Sequence, residues 1–187
     1  MEYCDIPYNE MSSRAIPWHT TFIGQVMQHN YWMYAIVDRV MLANPQIESI
    51  VEIGTGSGAL SMVFGLWGVK RGIRVLTIDH EVRHDPQLLR WVDVEFLQAD
   101  EMSEAAQESI ASVVGGRPTW LFCDGGCKRD EFRFYGPVMP VGSIVSAHDL
   151  GMEFRHEIDA FDVPGMEKYE ESWWTEANVQ LALYKRV

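Results

Sequence analysis

Short apolar runs alternate with stretches of helical periodicity along most of the chain. The first periodic stretch, "FIGQVMQHNYWMYAIVDRVML" (22–42), sets Val26, Tyr34, Val37 and Met41 at helical spacing, and Asn44-Pro45 stops it. "SIVEI" (49–53) reads as a buried strand and "GALSMVFGLWGV" (58–69) as a helix opened by a glycine loop. "IRVLTID" (73–79), "VEFLQ" (94–98), "PTWLFCD" (118–124) and "GSIVSAHD" (142–149) predict four further strands. Between them lie three helical segments. "DPQLLRWV" (85–92) opens on Asp-Pro, "MSEAAQESIASVV" (102–114) has a Ser103 cap and an acidic first turn, and "RDEFRFYGPVM" (129–139) follows the fourth strand.

Strands that are near-continuous apolar runs, alternating with helices, call for a parallel sheet covered on both faces. The chain ends differently: "YEESWW" and "NVQLALYKRV", separated by "TEA", predict an antiparallel hairpin. The expected fold is α/β, a doubly wound, mostly parallel Rossmann-like sheet closing on an antiparallel edge hairpin. At 187 residues this is one domain over 1–187, with 1–45 as an aromatic N-terminal arm and helix.

With 47% apolar and 22% charged residues, the composition is that of a soluble globular protein. The net charge of -12, without a Lys/Arg cluster, argues against duplex nucleic acid and points to small or neutral partners. Cys4, Cys123 and Cys127 frame neither a disulfide scaffold nor zinc-ligand pairs, so a reducing cytoplasm is expected. "MEYCDIPYNE" has no secretory pattern, and no apolar run approaches the roughly 20 residues of a membrane span. The expected setting is cytoplasmic, with no membrane partner.

Two readings of "EIGTGSGA" compete. As a dinucleotide fingerprint it supplies Gly54, Gly56 and a small Ala59, which would make the protein an NAD-dependent oxidoreductase. The other reading rests on Glu52, two residues before the first glycine, and on the alternate spacing of Gly54, Gly56 and Gly58. In these residues the sequence resembles the class I S-adenosylmethionine-dependent methyltransferases. The resemblance implies that Glu52 and the loop of Gly54, Thr55, Gly56, Ser57 and Gly58 hold the cofactor's amino-acid end. It further implies that Asp79, with His80 beside it, receives the ribose, and that Asp100, with Glu101, receives the adenine. The plainer reading is that Asp79 and Asp100 cap the helices that follow them.

"FCDGGCKRDEF" and "GSIVSAHDLG" resemble the small-molecule O-methyltransferase branch often labelled methyltransferase domain 24, near the catechol O-methyltransferases and cephalosporin hydroxylase-like proteins. The likeness runs from about Gln28 to Leu150. It implies a divalent cation held by Asp124 after the fourth strand and by His148 and Asp149 after the fifth. An imidazole there disfavours Mg²⁺ and suits Mn²⁺ or iron, or alternatively acts as a general base. The branch often carries Asp-Gly-x-His after the fourth strand; Cys127 stands at that His position, leaving Lys128 as a neighbouring base. Lys128, His148 and Asp124 are therefore the catalytic candidates.

Trp18, His19, His29, Tyr31 and Trp32 in the arm are candidates for the substrate pocket, with Trp32 and Tyr34 read as core. "ESWWTE" suits packing at the hairpin or a subunit contact, which leaves a homo-oligomer open. The expected function is methyl transfer from S-adenosylmethionine to a small hydroxylated acceptor. Its alternatives are a binding protein without transfer and the NAD-dependent oxidoreductase.

Overall fold

The apolar runs form one sheet, and the periodic segments cover its two faces. The computed structural model describes residues 20–29, 32–150, 153–155, 160, 163–169 and 179–187. A hairpin of β1 (Thr20–Phe22) and β2 (Gln25–Met27) leads to α1 (Trp32–Ala43). Strand–helix units follow: β3 (Ser49–Ile53), α2 (Ala59–Arg71), β4 (Arg74–Asp79), α3 (Pro86–Trp91), β5 (Val94–Gln98) and α4 (Glu104–Val114). β6 (Thr119–Cys123), α5 (Lys128–Tyr135) and β7 (Ile144–Ala147) complete the parallel part; β8 (Met166–Lys168) and β9 (Ala182–Arg186) close the sheet.

The strand order is β5-β4-β3-β6-β7-β9-β8. β3 to β7 pair in parallel, while β9 runs antiparallel between β7 and β8. A doubly wound dinucleotide domain continues at this edge with another parallel strand, so the inserted β9 marks a different fold. Every residue of β3 and β6 is buried, as the continuous apolar runs require.

Alternation along the strands feeds two cores. Ile50, Trp120 and Phe122 join Val37, Phe64 and Leu89 from α1, α2 and α3 on one face. Val51, Leu121 and Cys123 join Ile110 and Phe132 from α4 and α5 on the other. Each such side chain contributes about 1.5–3 kcal/mol when fully buried. The predicted caps form: Asp85 accepts from Gln87 N–H at 2.9 Å, and Ser103 Oγ from Ala106 N–H at 3.3 Å.

Two segments differ from expectation. The helix predicted over 22–42 begins only at Trp32, because 20–27 fold into the β1–β2 hairpin. Its turn, Ile23-Gly24, has both residues at positive φ, 48° and 78°, the twist that suits a tight two-residue hairpin loop. Val26 is accordingly exposed, while Val37 and Met41 bury fully and Tyr34 half-buries, as the helical spacing predicts. At the other end the described first arm of the edge hairpin is Met166–Lys168, with Lys168 opposite Tyr184. The Tyr169 N–H donates in turn to the Leu183 carbonyl, and the rest of "YEESWW" falls outside the described residues. Residues 170–178 lie outside the described residues, as do Cys4, Trp18, His19 and Tyr31.

Candidate functional site

β3 lies between β4 and β6, where the winding of the sheet reverses, and a crevice opens beyond the strand tips at such a point. A cavity of about 340 Å³ occupies it. β3 brings Glu52, β4 brings Asp79 and the end of β6 brings Asp124; the glycine loop and the residues after β2 cover them. Of the residues expected to bind a cofactor, Gly58 and Asp100 alone stand outside this lining.

The glycines of the loop serve different ends. Gly54 (φ 94°) passes so close to the β6 tip that a Cβ would sit 2.2 Å from the Asp124 carbonyl oxygen. A Cβ on Gly58 would approach His84 Cβ to 2.9 Å. Packing demands both. Gly56 (φ 53°) faces the cavity, where the nearest atom to a Cβ would be Gln28 Oε1 at 3.7 Å, and its N–H donates to Asp79 Oδ2 at 2.9 Å. The start of α2 lies behind the loop, with Ala59 and Leu60 in the cavity wall, so the positive end of the helix is turned to any ligand there.

Glu52 is 1% exposed. Ser61 Oγ and Thr77 Oγ1 both donate to its Oε2, the latter at 2.6 Å, and Thr55 Oγ1 bonds Thr77 Oγ1 at 2.7 Å. Burial pushes the carboxyl up to about 8 despite those two hydroxyls, aided by the charges of Asp124 and Asp79. In these surroundings Glu52 favours its protonated form at neutral pH. A cationic ligand group would reverse that.

Asp79 has the opposite bias. Burial raises its pKa, but the N–H groups of Glu81 and Gly56 and the Arg83 guanidinium outweigh burial and hold the carboxyl below its ordinary value. Arg83 reaches Asp79 Oδ2 at 3.1 Å, and the exposed His80 ring lies 3.3 Å from Oδ1. At the tip of β5, Asp100 is exposed and spends Oδ1 on the Met102 N–H at 2.8 Å, the turn-capping role. Its neighbour Glu101 enters the cavity wall instead.

Around Asp124 the site becomes a cluster of charges. His29 Nε2 lies 2.9 Å from Asp124 Oδ2, and His148 Nδ1 lies 3.3 Å from both Asp124 Oδ1 and Asp149 Oδ1. The two imidazoles meet edge to face at 4.3 Å. Burial raises the Asp124 pKa, yet His148 and His29 more than cancel it and hold the carboxyl far below the usual range. Burial lowers His29 beyond what Asp124 restores, whereas at His148 the neighbouring Asp124 and Asp149 overcome burial and raise the pKa.

Lys128 corrects an expectation. Its ammonium lies 2.7 Å from Glu153, 3.0 Å from Asp149 and 3.7 Å from Asp124. Burial lowers its pKa, but these carboxylates reverse the shift and raise it above the ordinary lysine value. These contacts favour the charged form of Lys128 and oppose the role of proton acceptor. Cys127 supplies no replacement either, since burial raises its thiol pKa and it stands outside the cavity wall.

The donors that crowd together are His29, Asp124 and His148, with ligand atoms within 4.8 Å of one another. Asp149, expected as a ligand, is turned to Lys128. His29 Nδ1, the ring nitrogen not bonded to Asp124, is buried without a hydrogen-bond partner among the described residues. Two imidazoles and a carboxylate whose ligand atoms already converge fit a divalent cation.

Sequence reasoning placed His29 only as a pocket candidate and passed over Arg83 and Glu131. His29 carries no local signal, because its partners are 95 and 119 positions away. Glu131 had one: an acid in the first turn of a helix can reach back to its N-terminus. It is buried, accepts from Gly125 N–H at 3.2 Å and Cys127 N–H at 3.0 Å, and so shapes the loop after Asp124. Burial, against those N–H groups, pushes its carboxyl up to about 7.

No family model matches the sequence, and no curated protein matches it. Solved structures do. CmcI with Mg and SAM aligns at a TM-score of 0.68 with 14% identity, covering 90% of this chain and 76% of that one. The chain has the Rossmann-like methyltransferase fold. CmcI without ligand gives a TM-score of 0.70 at the same identity and coverage. A protein of Klebsiella pneumoniae described as an O-methyltransferase gives 0.54 at 12% identity, over 96% of this chain and 86% of that one.

Proposed function

We propose that the protein transfers a methyl group from S-adenosylmethionine to an oxygen of a small hydroxylated acceptor, assisted by a divalent cation. The observation that carries this reading is the convergence of Glu52, Asp79 and Asp124 on one cavity, beneath a glycine loop and beside a buried His–Asp–His cluster. S-adenosylmethionine supplies an electrophilic sulfonium methyl, and a divalent cation supplies Lewis acidity that lowers the pKa of a hydroxyl.

The chain's own residues then have separable tasks. Glu52 gives up its proton and answers the ammonium of the cofactor's amino-acid end. Asp79, held ionised, accepts from ribose hydroxyls in exchange for part of its contact with Arg83. Asp124 and His148 hold the cation. Lys128, kept positive among its carboxylates, would stabilise the anionic oxygen left when the acceptor hydroxyl releases its proton to solvent. Met27, the last residue of β2, and Gln28 after it line the cavity and help exclude water.

Incubation with methyl-labelled cofactor and a panel of catechols, phenols and sugar-like polyols, with and without EDTA, tests the reading. Label should enter a hydroxylated acceptor, and chelation should reduce the rate at least about 100-fold. Transfer that is indifferent to EDTA would leave His148 as the proton acceptor and remove the cation. Tight cofactor binding with no transfer to any acceptor would favour the binding-protein alternative, which Cys127 at the usual His position first suggested.

A further inference from the structure

We infer that His29, carried by the segment after the β1–β2 hairpin, is a metal ligand that makes the site selective for a borderline transition ion such as Mn²⁺, Fe²⁺, Co²⁺ or Zn²⁺ over Mg²⁺. The inference rests on the cation of the proposed function and is independent of methyl transfer itself.

Four observations carry it. His29 is 7% exposed and turns its Nε2 into the cluster, 2.9 Å from Asp124. The Asp124 oxygens lie 2.9 and 3.3 Å from His29 and His148, close to the roughly 3 Å expected between adjacent donors around an ion bound at about 2.1 Å. The charges also agree. Asp124, Asp149 and Glu153 face the single ammonium of Lys128, so three negative charges against one positive leave two for a divalent ion to meet. Finally, the donor set is two imidazoles and one carboxylate. Mg²⁺ prefers oxygen ligands and retains its water, whereas imidazole suits later transition ions.

The position of His29 is fixed by the fold around it. Its ring packs edge-on against His148 and, at 6.1 Å, against Phe122 of β6. Immediately before Met27-Gln28, the hairpin is joined to the glycine loop by the Ser57 hydroxyl, which donates to the Val26 carbonyl. An ion shared by His29 and the tips of β6 and β7 therefore also fastens the roof of the cavity to its floor.

The test uses metal-stripped full-length protein titrated with Co²⁺, followed by visible absorption, with Mg²⁺ as competitor. The wild type should show d–d absorption that survives about a 100-fold excess of Mg²⁺. His29→Gln, which keeps an amide to hydrogen-bond Asp124, and His29→Ala should each lose at least about 100-fold in Co²⁺ affinity while melting near the wild-type temperature. Absence of absorption, displacement by equimolar Mg²⁺, or variants that hold Co²⁺ as tightly as the wild type would overturn the inference. S-adenosylhomocysteine binding, measured in parallel by calorimetry, separates the two failures. Nucleoside binding without Co²⁺ selectivity removes only the role of His29; Co²⁺ binding without nucleoside removes only the cofactor.

Discussion

Glu52→Gln is expected to be more stable than the natural protein near pH 8 and to bind S-adenosylhomocysteine about 10- to 100-fold more weakly, the loss of one charge-assisted hydrogen bond. Both effects come from the same buried carboxyl. The unfolded chain ionises Glu52 in the usual carboxylate range, whereas burial keeps it protonated in the folded protein up to about pH 8. Between those values the native state binds the extra proton, so raising the pH lowers stability throughout that window. Gln retains an oxygen for Ser61 and Thr77 and never ionises. Thermal melts at mildly acidic and mildly alkaline pH should show a steeper decline for wild type than for Glu52→Gln. Binding an ammonium beside Glu52 at neutral pH should also expel a proton, visible as a dependence of calorimetric heat on buffer ionisation. Parallel pH slopes for the two proteins, or no proton release, would mean that Glu52 is already charged.

Asp124→Asn is expected to lower stability by about 3 kcal/mol, because breaking a buried charge pair strands its partners. The carboxylate answers His29 and His148 and lies 3.7 Å from Lys128, and Asn offers those groups no charge. The depressed pKa of Asp124 means its contribution is present above the usual carboxylate range and is lost only in acid. The raised pKa of His148 means that its share is present below the ordinary histidine value and is lost as pH rises through its folded value. The difference between wild type and Asp124→Asn should therefore be widest between about pH 4 and 6.5. The variant should also bind no Co²⁺. A stability gap that is flat across this range, or a variant that still holds the ion, would dismiss Asp124 as the hub of the cluster.

The sheet was legible because buried parallel strands are continuous apolar runs, and "SIVEI", "IRVLTID" and "PTWLFCD" sit where β3, β4 and β6 form. Asp85 and Ser103 announced their helices by side-chain chemistry that acts within three residues. The first hairpin was hidden. Val26 fell by chance into register with Tyr34, Val37 and Met41, and Ile23 is an unusual residue for a left-handed turn position. The closing hairpin was legible as a hairpin, while the pairing that sets Met166–Lys168 against β9 is a long-range fact with no local signal. The site divides in the same way. Residues at strand tips, Glu52, Asp79 and Asp124, were readable from local pattern and meet in the cavity. Asp100, read by the same rule, stays with its own turn, and its place in the wall goes to Glu101. His29 reaches the site by tertiary folding and spacing says nothing of it, whereas Arg83 pairs with Asp79 only four positions earlier and was locally readable.

Separate calorimetric titrations of the protein with S-adenosylhomocysteine and with NAD⁺ test the central claim, that the acid-tipped strands and glycine bend are built for an adenosyl amino acid. The account predicts one saturable site for S-adenosylhomocysteine, with a dissociation constant on the order of 1–100 µM, and no heat with NAD⁺. Saturable NAD⁺ binding, with no response to the sulfur nucleoside, would contradict it.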